Sequence, residues 1–208
     1  MSGTDLRLAQ LLEHPAIWRG RSAARVAVIP TGFGALDDSL PGGGWPESGL
    51  VEILTAARGL GELRLLVPAL ATLTHAVPPR WSVLVAPPFE PFPPAFVAHG
   101  IALESLLVVR TAAPLWAVEL ALRSGSCAAV LAWVESARPR HIRRLQLAAE
   151  QGRTLGILLR LQRALKEPSP AALRILFEPT RRGARLKLVK SRGGARGAVE
   201  VTWRETDG

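Results

Sequence analysis

Residues 128 to 161 read Ala128-Ala-Val-Leu-Ala-Trp133, then Pro139-Arg-His-Ile-Arg-Arg-Leu-Gln-Leu-Ala-Ala-Glu-Gln151, then Gly156-Ile-Leu-Leu-Arg-Leu161. The outer runs are short and apolar without alternation, the pattern of strands buried on both faces. The middle run spaces Ile142, Leu145, Ala148 and Ala149 at helical intervals for burial. Two such strands joined by a helix imply a parallel pairing. The same grammar extends toward the N-terminus, with strand candidates at Gly49 to Leu54, Trp81 to Ala86 and Leu106 to Val109, and helix candidates at Gly61 to Thr74, Pro94 to His99 and Leu115 to Ser124. The expected fold class is therefore α/β, a largely parallel sheet with helices on both faces.

The texture changes past Glu167-Pro168-Ser169-Pro170. Leu173 to Glu178, Arg185 to Lys190 and Ala198 to Trp203 alternate with period two, with turns at Arg182-Gly183 and Gly193-Gly194, so C-terminal antiparallel strands with one wet face are expected. At the other end, Leu6 to Leu12 reads as a short amphipathic helix before a proline-broken connector, a short N-terminal helical arm. The organisation expected is an arm over 1–29, a core over 30–166 and a basic β extension over 167–208, all of one domain.

A chain of 208 residues with 48% hydrophobic content buries one substantial core and does not need two. Its longest apolar stretches, such as Cys127 to Val134, are under half the roughly 20 residues of a membrane helix, and no leader pattern opens the chain, so a cytoplasmic protein with no membrane partner is expected. The lone Cys127 fits a reducing compartment. The net charge of +9 is unevenly spread: residues 1–137 hold 9 basic and 11 acidic side chains, and 138–208 hold 17 basic and 6 acidic.

Chemistry would have to sit in the loop Thr55-Ala-Ala-Arg-Gly59-Leu-Gly61-Glu62-Leu63, a glycine-rich turn between a strand and a helix. There Glu62 stands where a phosphate-binding loop needs lysine and Leu63 where it needs a magnesium-binding hydroxyl, so Arg58, Gly59, Gly61, Glu62 and Leu63 form a degenerate version. Arg58 is expected to point to solvent or pair with Glu62. Glu135 lies two residues past the place of a metal-holding acid and reads as a strand-end cap. His14, His75, His99 and His141 are far apart in sequence, with no metal-ligand spacing. No catalytic residue, metal or cofactor is expected: the chain reads as a non-enzyme that works by binding partners.

The candidate interface is basic. Arg140, Arg143 and Arg144 are left outward on the helix Pro139 to Gln151, and Arg181, Arg182, Arg185, Lys187, Lys190, Arg192 and Arg196 follow with no acidic residue among them. DNA and an acidic partner protein are the two acceptors that fit. Trp18 and Trp45 fall in segments read as irregular, where an exposed ring anchors a partner, and Trp18 is the stronger candidate.

Thr31-Gly32, Leu36-Asp37, Leu40, Gly43-Gly44, Pro46, Gly49 and Glu52-Ile53 resemble the start of the core of RecA-type recombinases. His14-Pro-Ala-Ile-Trp-Arg-Gly20, Pro30-Thr-Gly-Phe33, Leu40-Pro-Gly-Gly-Gly-Trp-Pro46 and Gly61-Glu-Leu-Arg-Leu-Leu-Val-Pro68 resemble the ImuA family of RecA-like accessory proteins. That resemblance spans essentially the whole chain. It implies a RecA-like core and a DNA-damage-induced, non-catalytic role in translesion DNA synthesis, with RecA, ImuB and, through ImuB, an error-prone replicative-type polymerase as partners. Glu62 to Arg160 is also similar to SulA, which implies the alternative of a damage-induced division inhibitor that binds FtsZ. SulA-like chains stop soon after the strand matching Gly156 to Leu161, and the longer ends here favour the translesion reading.

Overall fold

The computed structural model describes residues 27–191 and 197–203. Among them an eight-stranded sheet runs in the order β10-β9-β8-β3-β7-β6-β4-β5. Its strands are β3 (Gly49–Thr55), β4 (Trp81–Val85), β5 (Leu106–Val109), β6 (Cys127–Trp133), β7 (Leu155–Leu161), β8 (Leu173–Thr180), β9 (Gly183–Ser191) and β10 (Gly197–Thr202). The pairs from β8 through β3, β7, β6 and β4 to β5 are parallel, and β8, β9 and β10 pair antiparallel. This is the mixed α/β class expected.

The central strands are mostly apolar because helices cover both faces. Successive side chains of a strand point to opposite sides, so β3 sends Val51 and Ile53 one way and Leu50 the other. On the first side, Val51, Ile53, Leu131, Ile157 and Phe177 pack with α1 (Gly34–Asp37), α2 (Val67–Thr74) and α3 (Pro93–Ala98) through Leu36, Leu70 and Phe96. On the second, Leu50, Val130 and Leu158 pack with α4 (Pro114–Arg123) and α5 (Pro139–Gln151) through Val118, Leu122, Ile142, Leu145 and Ala149.

The single helix predicted over Gly61 to Thr74 is two pieces, a 3-10 turn at Glu62–Leu65 and then α2. Pro68 has no N–H to donate to the carbonyl of Arg64, so an unbroken α ladder cannot pass that point, whereas a proline in the first turn of α2 costs nothing. At the N-terminal side, Val28–Ile29, assigned above to the arm, form β1 and pair antiparallel with β2 (Trp45–Pro46). Trp45 is fully buried in the first core with Ile29, Leu36 and Leu40, which corrects its reading as an exposed anchor.

The cap of α5 is Gly152, where nothing larger fits: a Cβ there would stand 1.9 Å from the backbone oxygen of Leu122 on α4. Gly152→Ala is expected to destabilise the fold by at least about 2 kcal/mol, measured by urea denaturation, because the obstacle is backbone and cannot rotate away.

Candidate functional site

In open α/β sheets the strands' C-terminal ends are the usual place for a ligand or partner, and the loop after β3 lies there. Its glycines Gly59 and Gly61 have φ of 76° and 91°, a left-handed conformation open to glycine. The turn they make brings Glu62 back under the loop, where Oε1 accepts the Gly59 N–H at 3.1 Å and Oε2 accepts the Leu60 N–H at 2.8 Å. Glu62 is buried. The chain's own carboxylate thus fills the amide cradle that such a loop otherwise offers to a phosphate. Leu63 packs against the first core. Arg58 pairs with Glu135 at 2.5 Å and not with Glu62, which corrects the expectation for both side chains. Glu62→Ala leaves two loop N–H groups without their acceptor and is expected to cost about 1–3 kcal/mol, read by denaturant unfolding.

Beside this closed loop lies an apolar groove of about 310 Å³, lined by Leu63, Leu84, Phe89, Phe92, Phe96 and Trp133 among others. Its outer wall is Pro87-Pro-Phe-Glu-Pro-Phe-Pro-Pro94, five prolines in eight residues, which restricts the backbone before any partner arrives. Phe89 and Phe92 are 64% and 66% exposed. Phe89 rests on the loop so closely that a Cβ on Gly59 would come within 2.9 Å of its ring. Glu90 forms an ion pair with Arg110 at the end of β5, tying the wall to the sheet. Sequence reading missed this site, although two phenylalanines spaced by prolines in a polar-poor loop were its signal.

A second feature missed in the sequence lies on the α5 side of the sheet, where β3, β7 and β8 adjoin. Glu52, fully buried, meets Arg160 at 2.7 Å and Arg174 at 2.8 Å. Arg160 also reaches Glu167 at 2.8 Å, and Arg174 donates to the carbonyls of Ala164 and Glu167 at 2.7 and 3.1 Å. Burial pulls the Arg160 guanidinium down, and hydrogen bonds and charge from Glu52 and Glu167 more than offset it, holding its value above the ordinary one. The cluster braces the parallel core against the antiparallel extension.

The basic candidates are placed as follows. Arg140, Arg143 and Arg144 are exposed on α5, with Arg144 bridged to Glu119 of α4. Arg181 and Arg182 form the exposed β8–β9 turn. Arg185 lies between Glu178 and Glu200 in the strand register, and Lys187 pairs with Glu178 at 2.7 Å. Lys190 donates to the Ser169 carbonyl at 2.6 Å. Glu178 and Glu200 thus stand opposite part of this basic run across the strands, which a run of basic residues read along one strand does not reveal. Trp18, Arg192 and Arg196 lie outside the described residues.

Among the described residues no group of three or more His, Cys, Asp or Glu is arranged to hold a metal, and no helix is long and apolar enough to cross a membrane. Cys127 is buried; burial pushes its thiol up, against smaller opposing effects of Ser124 and Arg80. A raised thiol contributes stability below its ordinary value that is lost as pH rises through the raised one. Native protein at neutral pH is therefore expected to react with a thiol reagent only as fast as it opens, with full reaction in denaturant.

No protein-family model matches the chain. A cell division inhibitor SulA of Edwardsiella piscicida is 30% identical over 120 residues, which span 56% of this chain and 71% of that protein. A crystal structure of SulA from Pseudomonas aeruginosa matches over 53% of this chain and 97% of its own, with 29% identity and a TM-score of 0.46. The sequence similarity overturns the expected part in translesion DNA synthesis with RecA, ImuB and an error-prone polymerase, and favours the alternative of a division inhibitor. The longer ends do not carry the translesion reading, because strands added at one edge of a sheet say nothing of what the core binds.

Proposed function

Because the chain belongs to the family of the cell-division inhibitor SulA, we propose that it inhibits cell division in the cytoplasm by binding FtsZ, without catalysing a reaction. The observation that carries the reading to a place on the molecule is the proline-stiffened pair Phe89 and Phe92, held exposed over an apolar groove. Aromatic side chains on a backbone with little freedom bury large area on binding at small entropic cost. The loop beside them supports the non-catalytic part: Glu62 already takes the Gly59 and Leu60 amides, so a triphosphate would meet a negative charge in place of donors.

Light scattering of FtsZ assembling with GTP tests this. Inhibition is expected to grow in proportion to the chain added and to need no ATP. Inhibition by trace amounts that deepens with time would reveal turnover and contradict a binding mechanism, and undisturbed assembly at excess chain would contradict the reading altogether.

A further inference from the structure

α4 and α5 lie side by side on the other side of the sheet from the groove's helix α3, and their outward surface carries a second unfilled apolar stripe. Val118 and Leu122 of α4 and Ile142, Leu145 and Ala149 of α5 face the sheet. Glu119 joins the two helices, accepting from Arg123 on its own helix at 2.6 Å and from Arg144 on the neighbour. What remains outside is not the polar set of an ordinary solvent face. Trp116 and Leu120, one turn apart on α4, are 65% and 56% exposed, and Leu147 on α5 is more than half exposed. Scattered apolar residues need no explanation, but a tryptophan and a leucine one turn apart on one helix face, with a further leucine exposed on the adjoining helix, give this outward surface more apolar side chain than solvent exposure asks for.

We propose that this two-helix face docks an acidic amphipathic helix of a partner protein. The apolar stripe supplies the area, and two helices packed side by side leave a groove that receives a third through i, i+3, i+4 and i+7 contacts. Charge selects the occupant. Glu119 is shared by two arginines, Arg140 and Arg143 stand exposed on α5 in no ion pair among the described residues, and the other acid of the two helices, Glu150, is hydrogen-bonded to Gln146. The surface is net positive, so a second copy would set like charge against like charge, whereas an acidic helix is complementary. A phosphate backbone matches the arginines and offers nothing to Trp116 and Leu120. The proposal stands apart from FtsZ inhibition, because it uses the opposite side of the sheet.

A labelled synthetic peptide with leucines at i, i+3, i+4 and i+7 and glutamates elsewhere, and its lysine counterpart, probe the face by fluorescence anisotropy. The glutamate peptide is expected to bind the full chain and weaken with salt, and the lysine peptide not to bind. Arg140→Glu with Arg143→Glu, and separately Trp116→Ala with Leu120→Ala, are each expected to lower affinity about tenfold or more, with circular dichroism unchanged because all four side chains are exposed. Phe89→Ser with Phe92→Ser is expected to leave it intact. Equal binding of both peptides, or full affinity in the charge-reversed chain, would overturn the proposal. So would a dimer in sedimentation equilibrium that Trp116→Ala with Leu120→Ala dissolves, since a second copy would then own the face, or competition by duplex DNA that the same apolar variant does not affect.

Discussion

Glu52→Ala is expected to destabilise the folded chain by about 3–5 kcal/mol, read as a lower midpoint in urea, a large part of what holds a domain of this size. The cost comes from what remains. Arg160 and Arg174 are almost wholly buried, and Glu52 is the carboxylate that touches both. Without it, two guanidinium groups stay in the interior with only Glu167 and backbone carbonyls beside them. Replacing all three by apolar residues of similar volume should recover much of the loss, because an ion cluster pays heavily for desolvation and its removal leaves no buried charge, only the half-exposed Glu167 and backbone carbonyls without their arginines. The pH dependence has a defined sign. Since the Arg160 value is raised, its contribution is complete below the ordinary arginine range and is lost only as pH climbs through the raised value. Stability from this pair is therefore expected to be flat across the neutral range and to decline only in strong alkali.

Phe89→Ser with Phe92→Ser is the second substitution with a large expected outcome, a fall in FtsZ affinity of about 30-fold or more, as for two aromatic anchors removed from the centre of an interface. Stability should change little, since both rings are mostly exposed and their neighbouring prolines still fix the segment. Phe96→Ser makes the contrast. Its ring is buried in the first core beneath the same groove, so it is expected to lose stability along with binding. Affinity by fluorescence titration and stability by thermal melting, run on the same three proteins, separate contact from folding.

The sheet and its helices were legible because burial on both faces is written locally. α5 and β5 occupy the predicted residues, β3, β4, β6 and β7 differ by one residue at one end, α3 and α4 are shifted by one residue, and the helix expected from Gly61 begins at Val67 behind its 3-10 turn. β1 and β2 were not legible, since two residues each carry no period. Trp45 sits between glycines and a proline, a turn by composition, yet Ile29, Leu36 and Leu40 close over it from elsewhere in the chain. Glu52 and Arg160 each stand alone among apolar residues in their strands, and only the parallel register of β3 with β7 and β8 brings them and Arg174 together, Glu52 and Arg160 lying 108 positions apart. The candidate site was half readable. The sequence put an acid in the phosphate-binding loop, but whether Glu62 would repel a ligand or replace it depended on Gly59 and Gly61 turning the chain back on itself. The surroundings of the basic tail were unreadable for the same reason, because Glu178 and Glu200 come opposite Arg185 across strands and not along them.

The most direct measurement is a titration of labelled FtsZ with the purified chain, with and without Mg-ATP. Saturable binding that is the same in both conditions, and is lost when Phe89 and Phe92 are replaced by serine, is the outcome that follows from a closed loop beside an open apolar groove. Mg-ATP held by the loop while FtsZ goes unbound would contradict it.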